Sequence, residues 1–111
     1  MLELSQLQMK VLEGLFAAGF RPVAIPPYEK AWCVRRADCA AVLSPIPGNG
    51  LRLLAPPSYI IDGNLSVKLK RGNGEVFVWK KSELAATPDR LHELAVFRQE
   101  LTELLEKPFT Q

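Results

Sequence analysis

Residues 65–81, LSVKLKRGNGEVFVWKK, contain a tight turn between two runs that favour β-strands. Asparagine and glycine accept the positive φ angles of a tight turn, so Gly72-Asn73-Gly74 predicts a β-hairpin. The first run alternates apolar and polar residues, and the second is rich in β-branched and aromatic residues. A second copy of the tripeptide, Gly48-Asn49-Gly50, precedes Leu51 and predicts another hairpin.

Two loop lengths fit the 65–81 hairpin, and both give the same arrangement of faces. A two-residue loop, Asn73-Gly74, places Lys70 opposite Phe77, whereas a four-residue loop places Lys68 opposite Phe77. Side chains alternate between the two faces of a strand. Either loop therefore puts Lys68 and Lys70 on the same face as Phe77 and Trp79.

This shared face is the candidate binding surface. Its cations and aromatic rings, with an arginine close by, are Lys68, Lys70, Arg71, Phe77, Trp79 and Lys81. Single-stranded nucleic-acid binders use such faces, because rings stack on bases and cations contact phosphates. An anionic small molecule or an acidic peptide fits the same chemistry. In the alternative interpretation the rings pack in the core and the lysines lie at its rim, since aromatic residues in strands usually serve packing.

Two amphipathic helices are predicted, one near each end of the chain. Ser5-Gln6-Leu7-Gln8 is a capping box that begins a helix over 4–18, and Gly19 ends this helix. Thr87-Pro88-Asp89 supplies an N-cap, a first-turn proline and an acidic residue, and it begins a helix over 88–106. Both segments carry apolar residues at helical spacing.

The residues between the helices favour short strands. The runs are 22–25, 31–36, 39–43, 51–54, 59–61 and the two hairpin arms, 65–70 and 75–81. Strands bounded by helices predict an α+β fold with an antiparallel sheet of about five to six short strands. We expect one domain over 1–111, because about 100 residues is the usual size of a single domain.

The first helix has a broader apolar arc than one sheet contact requires. Beyond its main stripe, the arc includes Leu2, Met9, Leu12 and Phe16. This surplus can contact the second helix or a second copy of the chain. The latter alternative makes a homodimer a hypothesis.

Composition excludes several classes of protein. The net charge of +2 is too small to imply nucleic-acid binding by itself. Two cysteines and one histidine are too few for a Cys/His zinc site, so no metal or cofactor is predicted. The chain lacks a secretory signal pattern and a run of ~20 apolar residues, so we expect a cytoplasmic protein without a membrane span.

No catalytic motif stands out in the sequence, so the first hypothesis is a non-enzymatic interaction or regulatory module that self-associates. The second is a single-stranded nucleic-acid or anionic-ligand binder that uses the lysine/aromatic hairpin face. The third is a small enzyme with an unfamiliar site, in which Glu29, Asp38 or Asp62 acts as acid or base.

Overall fold

A helix lies at each end of a set of antiparallel strands, which confirms the α+β fold class. The computed structural model describes residues 5–26, 28, 31–46 and 50–106. Within these residues the helices are α1 (Gln6–Ala17) and α2 (Pro88–Glu106). The strands are β1 (Arg21–Pro22), β2 (Trp32–Arg36), β3 (Cys39–Pro45), β4 (Leu51–Leu53), β5 (Ser58–Ile61), β6 (Asn64–Leu65), β7 (Val67–Arg71), β8 (Gly74–Trp79) and β9 (Ser82–Ala85).

The two ends of α1 follow the predicted capping signals. The Ser5 Oγ atom accepts a hydrogen bond from the Gln8 N–H at 3.2 Å, and Gln8 Oε1 accepts one from the Ser5 N–H at 2.9 Å. At the other end, Gly19 has a φ of +96°, and the Phe20 N–H donates to the Leu15 carbonyl at 3.0 Å. This is a Schellman ending, in which a left-handed glycine lets the chain close the helix.

Gln8 also fixes the loop between β3 and β4. Its side chain is buried (4% exposed), and its Nε2 donates to the carbonyls of Ile46 at 3.1 Å and Gly50 at 3.3 Å. The Ile46 N–H donates to the Gly50 carbonyl at 2.9 Å. Gln8 therefore joins the N-terminus of α1 to both ends of this loop. The predicted turn of the first hairpin includes residues 47–49, which lie outside the described residues.

β3 is the centre of the larger sheet and is buried on both faces. It pairs with β2 along one edge and with β4 and β5 along the other. Alternation directs Cys39, Ala41 and Leu43 towards the core that both helices cover. Ala40 and Val42 point the other way and pack in a small cluster with Ile25. A strand covered on both faces needs a continuous apolar run, as residues 39–43 provide.

The predicted hairpin forms a separate three-stranded sheet with the order β7-β8-β9. Lys68 pairs with Phe77, as the four-residue loop predicts, but pairing continues to Arg71 and Gly74. The turn therefore consists of two residues, Gly72-Asn73. Gly72 has a φ of +59°, and glycine accepts this backbone conformation without a steric penalty.

Two strand boundaries differ from the prediction over the hairpin. The second arm was expected to extend over 75–81, but β8 ends at Trp79 and the chain reverses at Lys80-Lys81 into β9. Lys80 has a φ of +53°, a conformation that lysine rarely adopts, so the sequence carries no signal for this turn. The first arm is interrupted at Ser66, where the buried Oγ donates to the Tyr59 carbonyl at 2.7 Å.

Arg36 holds α2 against the larger sheet. Its guanidinium lies 4.5 Å from the centre of the Phe20 ring and 6.0 Å from that of Phe97. Its Nη1 is 2.6 Å from Glu100 Oε2. Arginine is suited to this position because its planar group can stack on rings and bind a carboxylate at the same time.

Replacing Gln8 by alanine should destabilise the fold by about 1–3 kcal/mol, because the substitution removes the capping box and the buried hydrogen bonds from Gln8 Nε2 to the Ile46 and Gly50 carbonyls. Urea unfolding of the Gln8→Ala protein measures this loss. Gln99→Ala is the matched control, since Gln99 lies on the exposed side of α2; its change should stay within about 0.5 kcal/mol. Equal effects of the two substitutions would contradict the role assigned to Gln8.

Candidate functional site

The structure separates the residues of the predicted binding face. Lys68 and Phe77 do share a face of the hairpin sheet, but that face turns towards the core. Phe77 is 0% exposed, and its ring centroid lies 4.9 Å from that of Tyr59. The Phe77 ring therefore follows the alternative interpretation, in which it packs in the core, and it is not available to stack on a ligand.

The other members of the predicted face lie in different places. Trp79 is half-buried, and Lys80 places its Nζ 5.7 Å from the centre of the Trp79 ring. Lys81 belongs to the β8–β9 turn, and Arg71 is on the opposite face, paired with Glu83. Lys70 is exposed and lies opposite Glu75 in the ladder. The set does not form one continuous surface.

The apolar arc of α1 is largely used inside the molecule. Leu12 is 5% exposed and belongs to the main core, and Phe16 packs against that core. Met9 is 52% exposed, and Leu2 lies outside the described residues. The breadth of the arc at Leu12 and Phe16 thus reflects packing within the chain, which was one of the two alternatives for this surface.

A cleft of about 570 Å³ lies between α2, the β4–β5 loop and the start of β7. The helix supplies Leu91, Leu94, Ala95 and Arg98, which recur at helical spacing along one side of α2. The opposite wall includes Pro56-Pro57 and the first residues of β7, Val67 and Lys68. This volume is within the range of small-molecule and peptide pockets, and the walls are mainly apolar.

The cleft is electropositive. Two cationic residues, Lys68 and Arg98, line it, and the described lining residues include no carboxylate. Lys68 Nζ lies 3.7 Å from Glu75 Oε2, and both side chains are partly exposed, so this ion pair is weak. Arg98 is exposed and forms no hydrogen bond or ion pair with any residue in the described part of the chain. Among the described residues, nothing competes with an incoming anionic group for this guanidinium.

Sequence reasoning found Lys68 but missed Arg98 and the helix side of the cleft. The signal was the helical spacing of Leu91, Leu94, Ala95 and Arg98, an apolar row that ends in a cation. That row resembles any surface of a helix that packs on a sheet. Only the fold reveals that the row faces β7 across open space.

A second cleft, of about 470 Å³, contains Cys39 and His92 but lacks an activated nucleophile. Cys39 is 1% exposed, and its Sγ lies 3.8 Å from Glu93 Oε1. Burial, together with the negative charge of Glu93, raises the pKa of the Cys39 thiol from 9.0 to about 12. The pKa of Tyr59 is raised as well, mainly by burial and also by the neighbouring Cys39 and Glu93. A nucleophilic cysteine needs the opposite shift.

The carboxylates proposed for an enzyme do not converge. Asp38 lies in the β2–β3 turn, 3.7 Å from Arg35, and Asp62 lies in the β5–β6 turn, where it accepts a hydrogen bond from Ser82. Glu29 is outside the described residues. Among the residues the structure describes, no three His, Cys, Asp or Glu side chains form a group that could hold a metal ion.

Buried polar side chains are satisfied within the fold. In the described ranges, every buried side-chain nitrogen or oxygen has a hydrogen-bond partner. The interior therefore offers no orphaned polar atom for a ligand to meet. Within the same ranges, neither helix is both long and apolar enough to cross a membrane.

Comparison with known proteins gives no family for this chain: no protein-family model, no curated protein and no solved structure matches it. The geometry of the two clefts is thus the basis for an argument about function. The α2–β7 cleft combines an apolar wall with Arg98, a cation that has no partner among the described residues, whereas the Cys39 cleft contains a protonated thiol.

The raised pKa of Cys39 predicts a dependence of stability on pH. The thiol of the unfolded chain loses its proton near 9.0, whereas the folded thiol keeps its proton up to about 12. Over this window the unfolded state binds fewer protons, so stability falls as pH rises. Urea unfolding under reducing conditions between about pH 8 and pH 10 measures the slope. The slope should be steeper for the wild type than for Cys39→Ala, and parallel curves would contradict the assignment.

Proposed function

We propose that this protein is a non-enzymatic interaction module that binds an anionic, partly apolar segment of another protein in the α2–β7 cleft. One observation carries the proposal. The cleft has an apolar lining, two cations and no carboxylate among its described residues, and Arg98 has no partner within the described part of the chain. Apolar walls supply affinity, and a few charged groups supply orientation and specificity.

The energetics suit reversible binding. Burial of one leucine-sized side chain against Leu91 and Leu94 contributes about 1.5–3 kcal/mol. A carboxylate beside Arg98, which is exposed, adds up to about 1 kcal/mol. Association itself costs about 4 kcal/mol or more, so these two contributions do little more than offset it, and further contacts along the cleft supply the modest net affinity of a transient complex. Positive charge at the cleft also raises the rate of encounter with an acidic partner.

The packing of the hairpin favours a protein ligand over single-stranded nucleic acid. Binding of bases requires exposed rings on which they can stack. Phe77 is buried and Trp79 is half-buried with Lys80 over its ring. Displacement of the protein ligand by a single-stranded oligonucleotide would favour nucleic-acid binding instead.

Self-association has a weaker basis than binding of an acidic partner. On α1, Leu12 is buried and Phe16 packs against the core, so Met9 is the exposed described member of the proposed patch. At the cleft, a second copy would bring Lys68 and Arg98 into a positive environment. Like charges that face each other across an interface disfavour pairing.

Selection of peptides from a displayed random library tests the proposed function. Peptides rich in Asp and Glu with interspersed apolar residues should be enriched on the immobilised wild-type chain. Their affinity should fall about tenfold or more on Arg98→Glu, because this substitution replaces an attraction with a repulsion.

Arg52→Glu is the matched control for this experiment, since Arg52 is an exposed arginine that does not line the cleft. Its affinity for the selected peptides should equal that of the wild type apart from a small long-range effect. An absence of acidic peptides among those enriched, or an equal loss of binding on both variants, would refute the proposal.

A further inference from the structure

We propose that the partner segment binds as an additional antiparallel strand on the open edge of β7, with acidic and apolar residues in alternation. This inference rests on the proposed function and specifies how the segment is held. It is carried by three observations: the unpaired edge of β7, the alternation of its side chains, and the position of the cleft beside that edge.

The backbone of β7 is unpaired along its outer edge. Within the described residues, β7 pairs with β8 alone, and no backbone hydrogen bond links its outer edge to another element. A two-residue turn closes on a hydrogen-bonded pair, here Arg71 and Gly74. Bonded and non-bonded pairs then alternate, so Lys68 and Lys70 direct their N–H and C=O groups away from β8. These groups form a template for one more strand.

The side chains of β7 define what such a strand should carry. Val67 is 57% exposed and Leu69 is 44% exposed, and both lie on the outer face of the sheet. Lys68 and Lys70 lie on the other face, where Lys68 also lines the cleft. Residues that are directly opposite each other in a ladder share a face. A complementary strand therefore places carboxylates opposite the lysines and apolar side chains beside Val67 and Leu69.

The cleft beside β7 adds a further positive charge that an acidic strand could contact. Arg98 of α2 and Lys68 of β7 line the same space, so a carboxylate opposite Lys68 lies on the side that Arg98 occupies. An added strand would cover part of the apolar row on α2, including Leu94. The edge and the cleft thus form one continuous binding surface for one extended segment.

Charge selects the occupant of this edge. A second copy of β7 would place Lys68 and Lys70 against the same lysines, and like charges directly opposite each other destabilise a pair of strands. An acidic segment converts both contacts into attractions. Lysines on an edge strand can also act simply as guards against aggregation. In that case the lysines would not increase the affinity for an acidic strand, and Lys68→Glu would leave the binding of an acidic peptide unchanged.

The probe is a short capped peptide in which valine and glutamate alternate, with a terminal fluorophore for anisotropy measurements on the full chain at low ionic strength. We expect saturable binding. Lys68→Glu should weaken it about tenfold, because a cross-strand attraction becomes a repulsion. Glu75→Gln should bind at least as tightly as the wild type, because Glu75 competes for Lys68. Arg52→Glu is the control.

Two N-methylated versions of the peptide test strand addition itself. One carries methyl groups on the glutamate amides and the other carries them on the valine amides. In an antiparallel ladder the residues opposite Lys68 and Lys70 donate towards β7, so methylation of the glutamate amides should weaken binding about tenfold or more. Methylation of the valine amides, which point away from β7, should have little effect.

The outcomes separate this inference from the proposed function. Equal affinities of the two methylated peptides, or loss with the valine amides instead, would overturn antiparallel strand addition. If Arg98→Glu still abolished binding in that case, the cleft would keep its proposed function. No binding of the unmodified peptide, or its displacement by a single-stranded oligothymidylate, would overturn the inference. If the library also yielded no acidic peptides, the proposed function would fail as well.

Discussion

The buried contact between Phe77 and Tyr59 is the interaction on which the rest of the architecture depends. Phe77 is on the central strand of the hairpin sheet, and Tyr59 is on β5 of the larger sheet. Their rings bring the two sheets together, and the Tyr59 hydroxyl donates to the Arg90 carbonyl at the start of α2 at 3.0 Å. Phe77 is on the central strand β8, with β9 on one side and β7 on the other, and β7 forms an outer edge of the hairpin sheet.

The polar groups of the molecule divide into two sets with different roles. Inside, Gln8 holds the β3–β4 loop and Ser66 holds the start of β7 against β5. The Tyr59 hydroxyl holds the start of α2. Outside, Lys68 and Lys70 of β7 and Arg98 of α2 are exposed, and the outer edge of β7 has no strand partner within the described residues. Buried polar groups must be satisfied for the fold to be stable. Exposed surface groups can bind a partner, so the second set is the one suited to recognition.

Local signals in the sequence were sufficient to predict much of the fold. The capping box at Ser5 and Gln8 and the left-handed Gly19 identified α1. The Gly72-Asn73-Gly74 tripeptide identified the hairpin, although the loop expected from it differed from the observed Gly72-Asn73 turn. These predictions succeed because caps and tight turns depend on a few neighbouring residues. The α+β class followed from the order of these elements.

The features that sequence reasoning missed depend on tertiary contacts. The third strand, β9, follows a turn in which Lys80 adopts a positive φ, and nothing in the sequence marks that turn. The two sheets and the burial of Phe77 follow from the contact with Tyr59, which is 18 residues away along the chain and on a different strand. The cleft was missed because it forms only where Arg98 of α2 and Lys68 of β7 come together in the fold, and the sequence does not show that proximity.

The apolar second arm of the hairpin offered a partial signal. Val76 and Val78 alternate with Phe77 and Trp79, so both faces of this strand are apolar. One face packs in the core, and the other carries the half-buried valines beside the exposed Val67 and Leu69. A strand with two apolar faces at the middle of a small sheet indicates that the second face has a neighbour or a partner.

The most direct test of this account is residue-resolved hydrogen exchange of the free protein. With intrinsic rates removed, the Lys68 and Lys70 amides should exchange at least about tenfold faster than those of Leu69 and Arg71, because only the latter two donate to β8. Comparable protection of all four amides would mean that the outer edge of β7 is covered, and would contradict the account.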